Sequence, residues 1–520
     1  MGRATTRESS HESACRSAHE PARAISPQFD HAEQRRLADA ALERARELGV
    51  THAEFRAEHV RDASWRLRDA RPTGASDTVS AGFSVRVLHE GARGFAARSA
   101  GGADAAVGAV EEAVRTAGDA RLLGGRRVDL APEPVYGERS WTSAYETDPF
   151  EVSGQERTAV LGEYSARLLA APGVRHADAA LQAVRECTFL ADTAGNRILQ
   201  QRVRVLPEFT AHTVDPAGGR LVSLRSTAPS TGRGWEYLLG TGWDWDGELA
   251  ALPALLAEKA AAPTVRPGTY DLVIDPTNLW LTLHETVGHA TELDRALGHE
   301  ASFAGTSFAS PDAVGTLRYG SPAMNVTADR TAPHGLATIG YDAEAVAAQR
   351  WDLVRAGVLS GFQVDRAGAS RAGYQRSNGC SFAGAFDREP LQRMPNVSLR
   401  PAPDGPDTAE LISRVRDGLY VVGDGSWSID TRRQNFQFTG QRFHRIRAGR
   451  LVGQVRDVAY QSTTTDFWRS LEAVGGPRTY LLCGAFHCGK GRPLQAAPAG
   501  HGTPAALFRQ VNVLNSREEN

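Results

Sequence analysis

A short segment in the middle of the chain combines two metal-ligand side chains with a carboxylate. Residues 284–289 read His-Glu-Thr-Val-Gly-His, so His284 and His289 could bind a divalent metal while Glu285 handles a proton. The familiar zinc peptidase motif places its two histidines four residues apart on one helix face. Here they are five residues apart, and an ideal α-helix would separate them by about 140° around its axis. A π-bulge would bring them onto one face, so the spacing predicts a local helical distortion.

The same segment has an alternative interpretation as part of the core. The dipeptide His-Glu occurs at five positions, and the chance that one of them precedes a histidine at any chosen spacing is roughly 15%. His284 and His289 could therefore be two core histidines bonded to backbone groups. The apolar run Leu279–Leu283 predicts a buried helix leading into the segment. A buried His-Glu-His set needs a partner for its charge, and a divalent metal would supply one.

Two histidines do not complete a catalytic zinc site, which normally takes three protein ligands and a water molecule. The candidates for a third ligand that lie near in sequence are Glu292 and His299. Those that lie far along the chain are Cys483, His487 and Cys488. Local geometry favours Glu292, because it follows His289 by three residues on the same predicted helix.

Length and composition limit the remaining possibilities. A chain of 520 residues is too long for one core, and its 41% hydrophobic and 23% charged residues are ordinary for a soluble globular protein. A net charge of -2 gives no electrostatic reason to expect nucleic acid or an anionic membrane as partner. No apolar run is long enough to cross a bilayer, and five scattered cysteines do not suggest a disulfide scaffold. We therefore expect a cytoplasmic protein without nucleic-acid or membrane partners.

Element patterns divide the chain into three parts. Residues 1–28 are predicted to be a disordered extension, because they contain few large apolar side chains. Residues 29–262 mix helical and alternating patterns, including a helix capped by Asp30 and a helical segment 250–259 with Pro253 in its first turn. Residues 263–515 are mostly alternating segments. The sequence thus predicts an α+β protein: an N-terminal α+β domain and a C-terminal β-rich domain, with a curved or barrel-like sheet and a buried motif helix.

Several dispersed segments in a fixed order resemble the TldD/PmbA family of peptidases, in particular its TldD branch. The first is the 284–289 motif with its continuation to Glu292 and Asp294. The other matching segments are Gly82–Val87 with Gly94–Ala96, Asp342–Glu344, Ala356–Gly361, Arg393–Asn396 and Cys488–Lys490. The resemblance covers roughly residues 31 to 515. One departure is Ala345, which stands where the family's acidic run ends in glycine.

The resemblance implies a third ligand that local geometry does not favour, namely Cys488. A His284, His289 and Cys488 set would hold one zinc ion and leave a position open for water. Glu285 would then take the proton from that water and return it to the leaving amine. Glu292, Asp294 and Lys490 would surround the ligands, with Lys490 favouring the Cys488 thiolate or stabilising charge in the substrate.

The resemblance further implies a zinc-dependent peptidase for extended or unfolded peptides, paired with a related TldD/PmbA-type subunit as a hetero- or homo-oligomer. Such a peptide could add as a strand to a sheet edge, so binding would depend little on its side chains. Two alternatives stay open. The chain could use the same metal in a non-proteolytic enzyme of peptide or natural-product maturation, or it could be a structural subunit of a heteromer.

Overall fold

The computed structural model describes residues 24–124, 126–215 and 218–517. Most of the predicted disordered extension, residues 1–28, lies outside these ranges. Its described end contacts the first sheet, because the Ser26 N–H donates to Gln201 Oε1 at 2.7 Å and Arg185 donates to Gln28 Oε1 at 2.7 Å. No helix among the described residues is long and apolar enough to cross a membrane.

Long antiparallel strands dominate the N-terminal half. Its strands are β1 (His52–Arg68), β2 (Arg71–His89), β3 (Ala92–Arg98), β4 (Glu138–Thr142), β5 (His176–Asp192), β6 (Arg197–Val214) and β7 (Leu221–Arg225). Within the described residues they form one sheet in the order β3-β2-β1-β5-β6-β4, with β7 also paired to β6. Only β4 runs parallel to its neighbour. Burial alternates over the first part of β5, which gives the sheet an apolar face for helices to cover.

Helices cover that sheet, and the first of them is capped as its sequence predicts. They are α1 (His31–Glu47), α2 (Ala103–Leu122), α3 (Gly154–Leu169) and α4 (Trp245–Ala261). The Asp30 side chain accepts from the Glu33 N–H and so begins α1 as predicted. The placement of Pro253 in a first turn is wrong. The Asp244 side chain caps α4 by accepting from the Gly247 N–H, so the helix begins earlier and Pro253 lies inside it.

The C-terminal half contains many strands and a few short helices. Its strands are β8 (Gly268–Ile274), β9 (Val326–Asp329), β10 (Arg350–Arg355), β11 (Val358–Leu359), β12 (Ser381–Phe382), β13 (Leu391–Gln392), β14 (Asn396–Leu399), β15 (Asp417–Ile429), β16 (Asn435–Arg447), β17 (Arg450–Val455), β18 (Val458–Thr463), β19 (Leu471–Val474), β20 (Leu481–Lys490), β21 (Gln495–Thr503) and β22 (Ala506–Asn515). Its helices are α5 (Pro276–Leu283), α6 (Leu293–Ala296), α7 (Arg366–Ala372), α8 (Thr408–Ser413) and α9 (Thr464–Arg469).

Five of these strands close into a barrel. The pairing runs β15-β8-β22-β18-β16 and returns from β16 to β15, within the described part of the chain. The pair β8 and β15 is parallel and the other pairs are antiparallel. This closure confirms the predicted α+β class with a barrel-like C-terminal sheet. Closure also leaves no free edge on the barrel strands.

The motif helix α5 is buried, as predicted. Leu279 and Leu283 belong to the core cluster that also contains Phe438, Tyr460 and Phe508 from the barrel strands. The Asp275 side chain caps α5 by accepting from the Thr277 N–H, and Pro276 occupies its first turn. The predicted domain boundary at residues 262–263 falls between α4 and β8, and it stays a prediction.

Candidate metal centre

The two histidines of the motif share one wide helical turn. After α5 the backbone forms a π-helix over His284–Gly288, in which the His289 N–H donates to the His284 carbonyl five residues back. The ring centroids of His284 and His289 are 4.6 Å apart. The local distortion predicted from the five-residue spacing is therefore confirmed. It places both imidazoles on one side of the chain.

Polar side chains satisfy the backbone groups that this irregular turn releases. The Tyr319 hydroxyl donates to the Thr286 carbonyl, and Gln363 Nε2 donates to the Gly288 carbonyl. The Trp468 indole N–H donates to Thr286 Oγ at 2.9 Å. Gly288 packs closely, because a Cβ atom there would lie 2.6 Å from Met394 Sδ. The turn is thus held from several distant parts of the chain.

Cys488 reaches the same place from strand β20. The β20–β21 register shifts between Ala485 and Cys488, which bends the strand just before the cysteine. The Arg393 guanidinium donates to the Cys488 carbonyl and fixes this part of β20. Cys488 Sγ lies 3.4 Å from His289 Nε2. One ligand atom each from His284, His289 and Cys488 lies within 4.8 Å of the others.

A set of buried charges holds His289. Its Nδ1 lies 2.9 Å from Glu292 Oε2, and Arg295 Nε donates to the same oxygen at 3.1 Å. Lys490 Nζ lies 3.2 Å from Glu292 Oε1 and 2.8 Å from Asp294 Oδ1. A carboxylate can only accept, so His289 Nδ1 carries the hydrogen and its Nε2 keeps a lone pair facing Cys488.

His284 has a different partner, His501 on β21. His284 Nδ1 lies 2.7 Å from His501 Nε2, and His501 Nδ1 lies 3.0 Å from the Val397 carbonyl oxygen. The His501 ring also stacks on Trp280, with centroids 6.1 Å apart and planes 19° apart. His284 and His501 lie in the protein interior, and His501 is fully buried.

Glu285 points to an arginine supplied by the β15–β16 loop. Arg433 Nη1 donates to Glu285 Oε2 at 2.6 Å. Arg433 adopts φ 61°, a left-handed backbone conformation that costs a non-glycine residue about 1 kcal/mol. The Asp430 side chain stabilises this loop by accepting N–H groups of Arg432, Gln434 and Asn435. The loop therefore holds Arg433 against the carboxylate.

Burial and neighbouring charges shift the pKa values of these groups. Burial lowers the pKa of both His284 and His289, which favours neutral imidazoles with a free lone pair. Burial alone would raise the pKa of the Cys488 thiol, but His289 and Arg393 bring that pKa below its ordinary value. Burial likewise opposes ionisation of Glu292, yet Lys490, His289 and Arg295 hold its pKa well below the ordinary range.

The donor set fits a zinc ion. Two imidazole nitrogens and one thiol sulfur are ligands that Zn²⁺ takes in catalytic sites, where three protein ligands leave a position open. A cysteine binds a metal as the thiolate. The lowered pKa of Cys488 favours that form. The ligand atoms converge from residues almost 200 positions apart.

The other candidates for the third ligand do not join the His284, His289 and Cys488 set. Glu292, the third ligand favoured by local geometry, instead bonds to His289 Nδ1. His299 is exposed and contacts Arg371, while His487 Nε2 lies 3.0 Å from Gln182 Oε1. Cys483 is buried beside the Pro276 carbonyl. The roles predicted for His284, His289, Cys488 and Glu285 stay predictions that this geometry supports.

Two residues of the site had not been expected from sequence, His501 and Arg433. His501 stands between two glycines in a strand, and Arg433 lies in a loop rich in arginine and aspartate. Neither pattern distinguishes them from ordinary structural residues. Ala345, which stands where the acidic run of the family ends in glycine, adopts φ 60°. This left-handed conformation favours glycine.

The mixed helix-and-strand fold with its closed barrel thus brings together a His-His-Cys set that could hold a metal ion. Comparisons give the family. The family model described as "PmbA/TldA metallopeptidase domain 1" matches residues 53–117 of this chain. The model described as "PmbA/TldA metallopeptidase C-terminal domain" matches residues 267–515. Together the two matches span more than half of the chain. The chain therefore belongs to the PmbA/TldD family of metallopeptidases, as its motifs had indicated.

Individual relatives support this assignment. A protein named "Metalloprotease" from Methanothermobacter thermautotrophicus is 25% identical over 466 residues, which are 89% of this chain and 95% of the relative. A "Zinc metalloprotease TldD homolog" from Saccharolobus solfataricus is 21% identical over 259 residues, or 50% of this chain and 55% of the relative. The solved structure of TldE from Thermococcus kodakarensis has the same fold, with a TM-score of 0.69 at 16% identity, covering 91% of this chain and 99% of that one.

Proposed function

We propose that this chain is a zinc-dependent peptidase whose metal is held by His284, His289 and Cys488. The observation that carries the proposal is the convergence of these three ligand atoms within 4.8 Å. The relative named a zinc metalloprotease supports zinc as the metal. When bound, zinc would polarise the scissile carbonyl and make a water molecule more acidic. The remaining chemistry falls to side chains of this protein.

Glu285 is the general base and later the general acid. It follows His284 directly on the π turn, so its carboxylate is carried by the same turn as the two histidine ligands. Arg433 holds one oxygen, Oε2, at 2.6 Å, which fixes the orientation of the carboxylate and leaves Oε1 for a water molecule. Glu285 takes the proton from the attacking water and returns it to the amine that leaves.

The substrates are extended or unfolded peptides. His284, His289 and Cys488 are each 4–5% exposed, so the surface of a folded protein cannot reach them. An extended chain is thin enough to enter. A cleft of about 710 Å³ approaches the site through intervening side chains: its lining includes Asp294 and Gln392, which both contact Lys490, and Lys490 contacts Glu292. A volume in this range accommodates a short peptide segment.

Association with a related PmbA/TldD-type subunit completes the proposal. It is supported by membership of the family and is tested by native mass measurement of the protein expressed with and without such a subunit. A single species at the mass of one chain under both conditions would refute it.

The test of the reaction compares the natural protein with Glu285→Gln. The variant keeps an oxygen for Arg433 but cannot accept the proton, so hydrolysis should fall by about 10²–10⁴-fold while zinc remains bound. Zinc content is measured by elemental analysis and products by mass spectrometry of a digest of an unfolded peptide. Each cleavage adds one water to the summed product mass, which separates hydrolysis from non-proteolytic chemistry. A variant that loses zinc together with activity would contradict the role of Glu285, and equal cleavage of linear and tightly folded forms of one peptide would contradict the substrate class.

A further inference from the structure

His501 makes two hydrogen bonds that determine where its single hydrogen lies. Its Nδ1 is 3.0 Å from the Val397 carbonyl oxygen, and a carbonyl can only accept. Nδ1 therefore carries the hydrogen. His501 is fully buried, and its hydrogen-bond partners among the described residues, Val397 and His284, bear no negative charge. A buried imidazole without an anionic partner is neutral, so its Nε2 has no hydrogen and must accept.

The position of the hydrogen on His501 determines its position on His284. Because His501 Nε2 accepts, the atom 2.7 Å away, His284 Nδ1, must be the donor. A neutral His284 that carries its hydrogen on Nδ1 keeps the lone pair on Nε2. The reverse arrangement would place the bare Nδ1 of His501 against the Val397 oxygen, which is two acceptors in contact. The two hydrogen bonds that link Val397, His501 and His284 thus allow one tautomer of His284.

We propose that His501 is a positioning residue for the metal centre: it sets the tautomer and ring orientation of His284 so that Nε2 faces the ion and binds it more tightly. This inference rests on the proposed zinc site. It assigns no ligand role to His501, because both of its ring nitrogens are already engaged. The Trp280 ring stacked on His501 restricts rotation of the imidazole and keeps this alignment. Hydrogen-bond partners of this kind change metal affinity by about 10–100-fold in metalloproteins.

The test measures zinc affinity by competition with a chromophoric chelator for the natural protein, His501→Leu and His501→Gln. Leucine has no acceptor, so His501→Leu should bind zinc about 10–100-fold more weakly. Glutamine offers its side-chain oxygen near the place of Nε2, so His501→Gln should recover most of the affinity. Melting curves of the metal-free proteins check folding. Should His501→Leu unfold, His501→Phe, which keeps the stacking on Trp280, replaces it. His299→Leu, a change at an exposed histidine, serves as control and should bind zinc normally.

The outcomes separate this inference from the proposal beneath it. A natural protein that binds no zinc overturns the metal site itself and the inference with it. Zinc bound normally by the natural protein and by His501→Leu overturns only the role of His501. Equal weakening in His501→Leu and His501→Gln also overturns it, because packing and not the acceptor would then set the affinity.

Discussion

His284 and His289 lie on one π turn, yet the two imidazoles are held in different ways. His289 bonds to the Glu292 carboxylate, which is itself surrounded by Lys490 and Arg295. His284 bonds to a neutral imidazole, His501, whose other nitrogen meets a backbone carbonyl. We call these the ionic support and the neutral support. Both leave Nε2 free for a metal, so the same tautomer is obtained by two different chemistries.

The difference between the supports is in what each requires of the surrounding protein. Buried charges are expensive to desolvate and must be paired, so the ionic support depends on several residues being present together. The neutral support needs only one imidazole and one carbonyl. Cys488 and Lys490 alternate with Gly489 on β20, so both side chains point to the same face of the strand. One strand therefore brings the third candidate ligand and the cation of the ionic support to the site together.

Removing the cation of the ionic support should have the largest effect. Lys490 is fully buried, and Lys490→Met would leave Glu292 and Asp294 short of positive charge. We expect a loss of about 3–5 kcal/mol in the free energy of unfolding, measured by urea denaturation of the metal-free protein. Zinc affinity should fall as well, because Glu292 would no longer be held beside His289.

The chain supplies its own control for this change, since its only other lysine is Lys259. Lys259 Nζ donates to the Ser223 carbonyl at 3.0 Å and contacts no carboxylate in the described structure. Lys259→Met should change stability by less than about 1 kcal/mol. Similar losses for both variants would mean that Lys490 contributes only packing, and the ionic support would lose its distinguishing feature.

The ionic support also shows which parts of the site sequence reasoning can reach. The histidine pair, the acid between them and the π turn follow from the residues of one segment, because spacing on a helix is a local property. The same local argument found Glu292 and favoured it as the third ligand, because proximity in sequence does not reveal which atom of His289 it faces. In the structure it faces Nδ1.

Parts of the site that depend on chain folding over long distances could not be found locally. Cys488 lies 199 residues from His289, and only a resemblance to a family singled it out from the other distant candidates. His501 lies 217 residues from His284 and had no motif to mark it. The fold shows the same division. The cap of α1 and the class of each half were predicted, whereas the β15–β16 pairing that closes the barrel depends on the three-dimensional register.

Glu292→Gln tests the hydrogen bond to His289 without removing volume. An amide can still accept from His289 Nδ1, but it lacks the charge that strengthens the bond, so zinc affinity should fall about 10-fold. The pKa of Glu292 is lowered well below 4.5, so its charge, and the stability it contributes, is lost only as the pH falls below that range. The difference in zinc affinity between the variant and the natural protein should therefore be constant from about pH 6 to about pH 8.

Asp294→Asn is the matched control for that experiment. Asp294 contacts Lys490, but its described contacts do not include His289, so the variant removes a carboxylate from the same cluster without touching the ligand. It should leave zinc affinity within about 3-fold of the natural protein. If Asp294→Asn weakens zinc binding as much as Glu292→Gln, the net charge of the cluster and not the bond to His289 determines the affinity.

Gly288→Ala should have the smallest effect, and it tests whether the two supports are independent. A Cβ atom at Gly288 would lie 2.6 Å from Met394 Sδ and 2.8 Å from its Cε, but 3.6 Å from His501 Cε1. The end of a methionine side chain is flexible, so we expect Met394 to move and the free energy of unfolding to fall by about 1 kcal/mol. Since neither support is displaced, zinc affinity should stay near that of the natural protein. The double variant Gly288→Ala with Met394→Leu, which shortens the opposing side chain, should recover the lost stability. If zinc affinity instead drops sharply in Gly288→Ala and recovers in the double variant, strain in the π turn moves both histidines together, and the supports act as one unit.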